Sequence, residues 1–414
     1  LTQSSQCDNM YVAPGNAGTA TIATNAAISP NDFAGIAKFV LDNDIHLLVV
    51  GPEDPLVNGI RDYLEDLEPL KNLKIIGPGK LGAQLEGSKD FSKDFMVQYG
   101  IPTANSATFT ANTFEEAIKY LHTQELPIVL KADGLAAGKG VIIATSFEEA
   151  EAALNEMLLG KKFAEASSKV LIEQHLSGIE LSVFVLTDGK DYKILPEAKD
   201  YKRIGENDTG PNTGGMGAVS PVSFAQGAFL EKVRSQVIEP TLKVLEESHI
   251  PFIGFLFIGL MNVNGDPFVI EYNVRMGDPE TQVVIPRIKS DLVELLAATA
   301  DGNLASMSMD IDERYATTVV AVADGYPGAY GKGEEIEGLE LDRPATVFQA
   351  GTKLEGEQTV TNGGRVLAVT GSDTDLQTAL NNAYKGLSTI NWEGMNFRKD
   401  IGQDLLALVH KQHQ

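Results

Sequence analysis

Short apolar runs alternate with amphipathic stretches over the first part of the chain, and that rhythm sets the first expectation. Residues 10–13, 45–50 and 73–76 read as strands, and residues 31–41 read as a helix between the first two. Strands separated by helices predict a parallel sheet with crossover connections. Ligands of such sheets sit at the carboxyl ends of strands, where Pro14-Gly15-Asn16-Ala17-Gly18 and Gly51-Pro52-Glu53-Asp54-Pro55 fall. Tight turns are an equal reading of both loops. Further on, Ser88 is placed to cap a helix that runs to Tyr99, with Gly100 as its stop. Residues 127–131 and 140–144 predict paired strands around a glycine-rich loop, followed by a helix over 146–159 and a strand over 169–173. Beyond Thr317 the pattern becomes short apolar runs split by Gly and Pro, which predicts a small β-rich terminal domain.

Composition narrows the class. A chain of 414 residues exceeds one hydrophobic core, and typical domain sizes give about three domains. The hydrophobic share of 43% and mean hydropathy of -0.06 describe a globular protein, with no apolar run near the length of a membrane span. A net charge of -24 leaves little material for a basic face, so a nucleic-acid partner is not expected. Cys7 is the only cysteine, which excludes an intrachain disulfide and fits a cytoplasmic protein. The six histidines show no zinc-ligand spacing. Because the chain opens on Leu1 with what reads as the tail of a helix, a preceding segment is expected.

Chemistry concentrates in Glu271-Tyr272-Asn273-Val274-Arg275-Met276-Gly277-Asp278-Pro279-Glu280-Thr281-Gln282. After the turn Asn264-Gly265-Asp266-Pro267, a short apolar strand places Glu271 and Asn273 two residues apart, on one face. A carboxylate beside an amide oxygen suits a hard cation, and magnesium is held by only one or two protein oxygens besides phosphates and water. Arg275, expected on the same face, could clamp a phosphoryl or carboxylate group. A strand end with a surface ion pair is the plainer alternative. The loop from Ala132 to Gly140 offers backbone amides and Lys139 to phosphates, with Gly138 allowing close approach. It departs from a Walker loop in spacing and in the strand that follows it. A strand-loop-strand flap over a triphosphate fits; taken alone, a plain glycine-rich hairpin is the commoner reading.

The order Lys89, Lys131, Glu173, Leu176, Glu180, Glu271, Asn273 resembles the ATP-grasp superfamily, whose two α+β halves enclose ATP. That resemblance implies that Lys89 and Lys131 contact phosphates or adenine, together with Gly138 and Lys139. It implies that Glu173 and the Leu176 backbone read the adenine edge and that Glu180 meets the ribose hydroxyls. Glu271 and Asn273 would hold Mg2+ or Mn2+. A further metal-binding carboxylate, frequent in that superfamily on the preceding strand, is absent from residues 258–261.

The loop Asp208-Thr209-Gly210-Pro211-Asn212-Thr213-Gly214-Gly215-Met216-Gly217, with the Arg275 segment and Gly51–Leu56, closely resembles the glycinamide ribonucleotide synthetase family over essentially the whole chain. The family implies ATP-dependent ligation of glycine to 5-phosphoribosylamine through glycyl phosphate, with Arg275 and Lys131 as catalytic groups. Asp278 and Glu280 are the candidates for the glycine ammonium group. Asn212, Thr213 and Gly214 are the candidates for the sugar phosphate, with Gly15, Asn16 and Glu53 lining the same pocket.

The fold implied is α/β plus α+β. A parallel-sheet N-terminal domain over 1–88 lacks the family's first strand and glycine-rich loop. An ATP-grasp core over 89–315 carries a mobile flap at about 104–172, and a small β-rich domain spans 316–414. Small-molecule substrates and a monomer are expected. Another ATP-grasp ligase, or a nucleotide-binding module without turnover, remains the alternative.

Overall fold

The computed structural model describes residues 1–135, 140–160 and 168–412. In the first segment Tyr11–Val12 pairs parallel with Thr24–Asn25, and Leu47–Val49 pairs parallel with Lys74–Ile76. The helix between them, Phe33–Asp42, starts where the Asp32 carboxylate accepts the Gly35 amide, and it buries Ile36, Ala37 and Val40. Ser88 caps the helix Lys89–Gln98 by accepting the Phe91 amide, and Gly100, at φ +68°, follows its end. One turn separates Lys89 from Lys93, so both ammonium groups leave the same helix face.

Two antiparallel four-stranded sheets form the centre. The first runs Ser106–Thr110, Lys169–Gln174, Ile128–Ala132, Val141–Ala144 in spatial order. Helices Phe114–Leu121 and Phe147–Leu158 cover it, and Leu121, Ile128, Leu130, Leu154 and Ile172 form a core of its own. The second runs Tyr192–Ile194, Ile179–Thr187, Gly254–Val263, Asp266–Asn273. The sheets are tied where Thr103 bridges Val269 and the Val269 amide donates to Pro102 O at 2.8 Å.

A bulge in the last of these strands decides which way Glu271 faces. Gly259 pairs with Glu271 and Leu260 with Val269, so Ile270 is the extra residue. Strict alternation would send Glu271 into the core behind Pro267 and Val269. With the bulge, Val269 and Tyr272 are both buried, and Glu271 and Asn273 share the opposite face. Inside, the Tyr272 hydroxyl meets Thr241 Oγ1 at 2.7 Å, which satisfies its polar end.

The terminal segment does not build a sheet alone. Tyr315–Val322, Arg365–Asp373 and Thr346–Gln349 are joined by Gly217–Ser220 and Lys199–Asp200 in one five-stranded antiparallel sheet. Two helices that the short apolar runs did not foretell complete it, Leu376–Leu387, capped by Asp375, and Gln403–Gln412. Among the described residues no helix is long and apolar enough to cross a membrane.

The helix Leu376–Leu387 lies so close to this sheet that a Cβ on Gly371 would stand 2.3 Å from Ala379 O and 2.4 Å from Ala383 N. Gly371→Ala should therefore cost about 2 kcal/mol of stability, read by denaturant unfolding, because backbone cannot yield as a side chain does. An unchanged midpoint would show that the helix can shift outward.

Candidate active site

Glu271 is the centre of the polar cluster. Burial acts to raise its carboxyl, yet Lys202, Lys131, Lys89 and Arg275 together hold it below the usual range. Among the described residues no donor makes a hydrogen bond to it, so its oxygens are uncommitted while its charge is secured. Gly259, directly across the ladder, adds no carboxylate there. No three His, Cys, Asp or Glu side chains among the described residues form a ready-made cage. An uncommitted carboxylate with a neighbouring amide is nevertheless a fitting donor set for magnesium, which takes most of its shell from water and phosphate.

Lys131, at the end of Ile128–Ala132, spans both sheets. Its ammonium lies 2.8 Å from Glu173 Oε2 and donates to Ile270 O at 3.1 Å. Lys93 approaches Glu173 Oε1 at 3.3 Å and donates to Thr103 Oγ1 at 2.7 Å. Burial would raise the Glu173 carboxyl, but Lys131 and Lys93 hold it below the usual range. Both Glu173 oxygens are thus engaged by lysines. Lys89 donates to Gly134 O at 3.1 Å; burial depresses its ammonium against the pull of Glu271. Gly138 and Lys139 lie outside the described residues.

On the second sheet, Glu180 forms an ion pair with Lys202. Burial works against the Lys202 charge, but Asp200, Glu180 and Glu271 hold it well above its ordinary value. Burial, reinforced by Asp200, pushes Glu280 up, and Ser182 Oγ donates to it at 3.3 Å. Arg275 leaves the strand end and turns toward the N-terminal segment. Its Nη2 lies 2.7 Å from Glu86 Oε1 and its Nε 3.3 Å from Glu53 Oε2, without a formed hydrogen bond at Nε. Glu86 also accepts the Val274 amide at 2.8 Å; burial nonetheless lifts it to about 7, more than Arg275 lowers it.

The loop beyond is fixed by the terminal domain. Arg365 donates to Gly214 O and Asp278 O, each at 2.7 Å, and pairs with Asp278 Oδ2 at 2.9 Å. Thr213 bonds Lys202 O through its amide and its hydroxyl, and Asn212 pairs with Arg203. Asn16 is used internally: its amide donates to Gln349 O at 2.8 Å and accepts from the Thr19 amide at 2.9 Å. Gly15, at φ +78°, has no room for a Cβ, which would stand 2.2 Å from Asn25 Oδ1.

The structure therefore gathers Lys89, Lys131, Glu173, Glu180, Glu271 and Asn273 around the junction of the two sheets. Arg275 connects that junction to Glu53, and Asp278 and Gly214 lie against Arg365. Sequence reading missed Lys93, Lys202 and Glu86. Only Lys93 left a local signal, its helical spacing from Lys89.

Models of the phosphoribosylglycinamide synthetase N domain, ATP-grasp (A) domain and C domain match residues 1–86, 87–281 and 316–404 in turn. The chain belongs to the phosphoribosylglycinamide synthetase family. Among curated relatives, the phosphoribosylamine–glycine ligase of Yersinia pestis is 46% identical over 411 residues, which cover 98% of this chain and 95% of the relative. That of Haemophilus influenzae is 46% identical over 407 residues, covering 97% and 94%. The crystal structure of phosphoribosylamine–glycine ligase from Thermotoga maritima superposes with a TM-score of 0.83 at 34% identity, covering 97% of this chain and 95% of that one. Outside the synthetase family, the biotin carboxylase domain of Hydrogenobacter thermophilus 2-oxoglutarate carboxylase, crystallised with MgADP, ADP and bicarbonate, shares the fold. Its TM-score is 0.67 at 19% identity, over 90% of this chain and 81% of that one.

The raised Glu86 carboxyl sets a pH dependence. Its unfolded value is 4.5 and its folded value about 7, so its contribution is intact below the former and is lost as pH rises through the latter. Glu86→Gln cannot titrate. Relative to wild type the variant should therefore gain stability between pH 5 and pH 8, by up to roughly 3 kcal/mol. Denaturant unfolding of both proteins at the two pH values checks this; a constant difference would contradict the assignment.

Proposed function

We propose that the protein is a phosphoribosylamine–glycine ligase, joining glycine to 5-phosphoribosylamine while ATP becomes ADP and phosphate. The product is glycinamide ribonucleotide, in the second step of purine synthesis de novo. The observation that carries the reading is Glu271, a half-buried carboxylate kept ionised by four cations and hydrogen-bonded by none of the described residues, in a chain that matches the family across all three domains.

The chemistry follows from the substrates. A carboxylate does not react with an amine, so a glycine oxygen first attacks the γ-phosphoryl group and ADP leaves. The amine of phosphoribosylamine then attacks the acyl carbon of glycyl phosphate, loses a proton and expels phosphate. Glu271 and Asn273 would hold Mg2+ or Mn2+, which supplies positive charge to the transferring phosphoryl oxygens. Lys89, Lys131 and Lys202 add charge on the other sides, with Gly138 and Lys139 assigned to the same phosphates. Arg275, already desolvated and fixed by Glu86, meets the acyl phosphate. Adenine is read by the backbone from Glu173 to Leu176, since the Glu173 side chain serves Lys93 and Lys131. Glu180 turns from Lys202 to the ribose hydroxyls when nucleotide arrives.

On the substrate side, Asp278 offers a charged oxygen to the glycine ammonium group, and Glu280, pushed toward its neutral form, offers a hydrogen bond. Asn212, Thr213 and Gly214 face the sugar phosphate. Gly15, Asn16 and Glu53 shape the opposing wall, Asn16 by anchoring its loop to Gln349. The segment over about 104–172 acts as a lid that keeps water from the acyl phosphate. The enzyme is assigned to the cytoplasm as a monomer.

ADP release measured with Mg-ATP and glycine alone, phosphoribosylamine alone, or both tests the reading. Release only with both, with a product of glycinamide ribonucleotide mass, is expected; ADP release without that product would overturn it. Glu271→Gln should lower kcat by at least about a hundredfold, the size expected on losing one aligned charge; a near-normal rate would remove Glu271 from the mechanism. Arg275→Lys, which loses the fork, should lower kcat more than it raises the KM for ATP. Equal turnover in variant and wild type would take Arg275 out of the reaction.

A further inference from the structure

Residues 199–203 alternate between two environments. Asp200 and Lys202 face Glu180, Glu271 and Glu280 in the site. Lys199 and Tyr201 point the other way, into the terminal domain. There the Tyr201 hydroxyl donates to Asp404 Oδ1 at 2.6 Å, and Lys199 Nζ lies 2.9 Å from Asp404 Oδ2. The same ammonium sits 3.8 Å from the Tyr201 ring centre, with the Arg398 guanidinium at 5.4 Å.

Arg398 completes the grip. Its side chain is 2% exposed; it pairs with Asp400 through two nitrogens, with Asp208 Oδ1 at 2.7 Å, and donates to Arg203 O at 3.2 Å. Asp400 in turn accepts the Asn207 amide at 2.8 Å. Asn207 and Asp208 both stand at positive φ, 56° and 52°, a strained pair that needs such fastening. A Cβ on Gly217 would meet Ile401 Cδ1 at 2.9 Å, so the terminal segment packs directly on the strand paired with Lys199–Asp200.

We propose that the segment Arg398–Asp404 is a latch that holds Tyr201 and Lys199 from behind and thereby sets the position of Lys202 and Asp200 in the active site. These latch groups are positioning residues: none of them faces the reacting atoms. The inference deepens the ligase reading by giving the terminal domain a part in the phosphoryl-transfer site, and it rests on that reading only for its effect on rate. The coupling is mechanical. Lys199 and Tyr201 alternate with Asp200 and Lys202 along four consecutive residues, so loosening the first pair loosens the backbone that carries the second.

The test uses Tyr201→Phe, which removes only a hydroxyl, and Asp404→Ala, with Asp404→Glu as the conservative control. Each full-length protein is acylated with acetic anhydride, and the extent at Lys202, Lys89 and Lys131 is read by peptide mass. The latch predicts a several-fold faster reaction at Lys202 in Tyr201→Phe and Asp404→Ala, unchanged rates at Lys89 and Lys131, and partial reversal in Asp404→Glu. In steady state, kcat should fall about tenfold with the KM for ATP held within about twofold, as for a displaced catalytic group. No gain in Lys202 labelling in folded Tyr201→Phe, or an equal gain at all three lysines, overturns the latch. If Asp404→Ala fails to fold, Tyr201→Phe decides. A wild-type enzyme without turnover would sink the ligase reading, while the labelling would still judge the latch.

Discussion

Placing a carboxylate partly away from water is costly unless cations stand around it, and at Glu271 four cations from separate elements of the segment matching the ATP-grasp domain meet that requirement. The sheet containing Ile128–Ala132 sends Lys131, the helix Lys89–Gln98 sends Lys89, and the segment after Lys199–Asp200 sends Lys202. Arg275 comes from the same hairpin as Glu271 but is itself held by Glu86 from the N-terminal segment. Among the described residues no cation bonds the carboxylate directly, so its charge is stabilised without a hydrogen bond from any of them. That is the electrostatic setting a metal-nucleotide needs: a fixed negative ligand for the metal and fixed positive groups for the phosphates.

The terminal domain is drawn into the same problem. Its sheet takes in Gly217–Ser220 and Lys199–Asp200, and Arg365 holds the Asp278 and Gly214 carbonyls. A domain that looks peripheral in chain order therefore contacts both the Gly214 and Asp278 loops and the strand that leads to Lys202. At this contact Tyr201 is buried, with the Lys199 ammonium and the Arg398 guanidinium against its ring.

Most of the element pattern could be read from the chain because local rules dominate there: the Ser88 cap, the stop at Gly100 and the turn at Asn264-Gly265. The pairing of Glu271 with Asn273 was legible from strand periodicity, but their exposure to the site was not, since it depends on the bulge at Ile270. Lys202, Glu86 and Lys93 escaped for a related reason. Lys202 faces Glu271 only because of long-range strand pairing, and Glu86 matters only once Val274 and Arg275 fold back onto it. The helices of the terminal domain were missed because its Gly-separated apolar runs suggested strands throughout. Asn16 illustrates the reverse error of emphasis, a polar loop residue whose side chain is spent on Thr19 and Gln349.

In the proposed reaction glycine is activated by taking the γ-phosphoryl group onto its own carboxylate. Turnover with glycine whose carboxylate carries heavy oxygen, followed by mass analysis of the phosphate released, tests this directly. One labelled oxygen is expected in each phosphate, delivered when the amine displaces phosphate from the acyl phosphate. Phosphate without label, formed in step with glycinamide ribonucleotide, would contradict it.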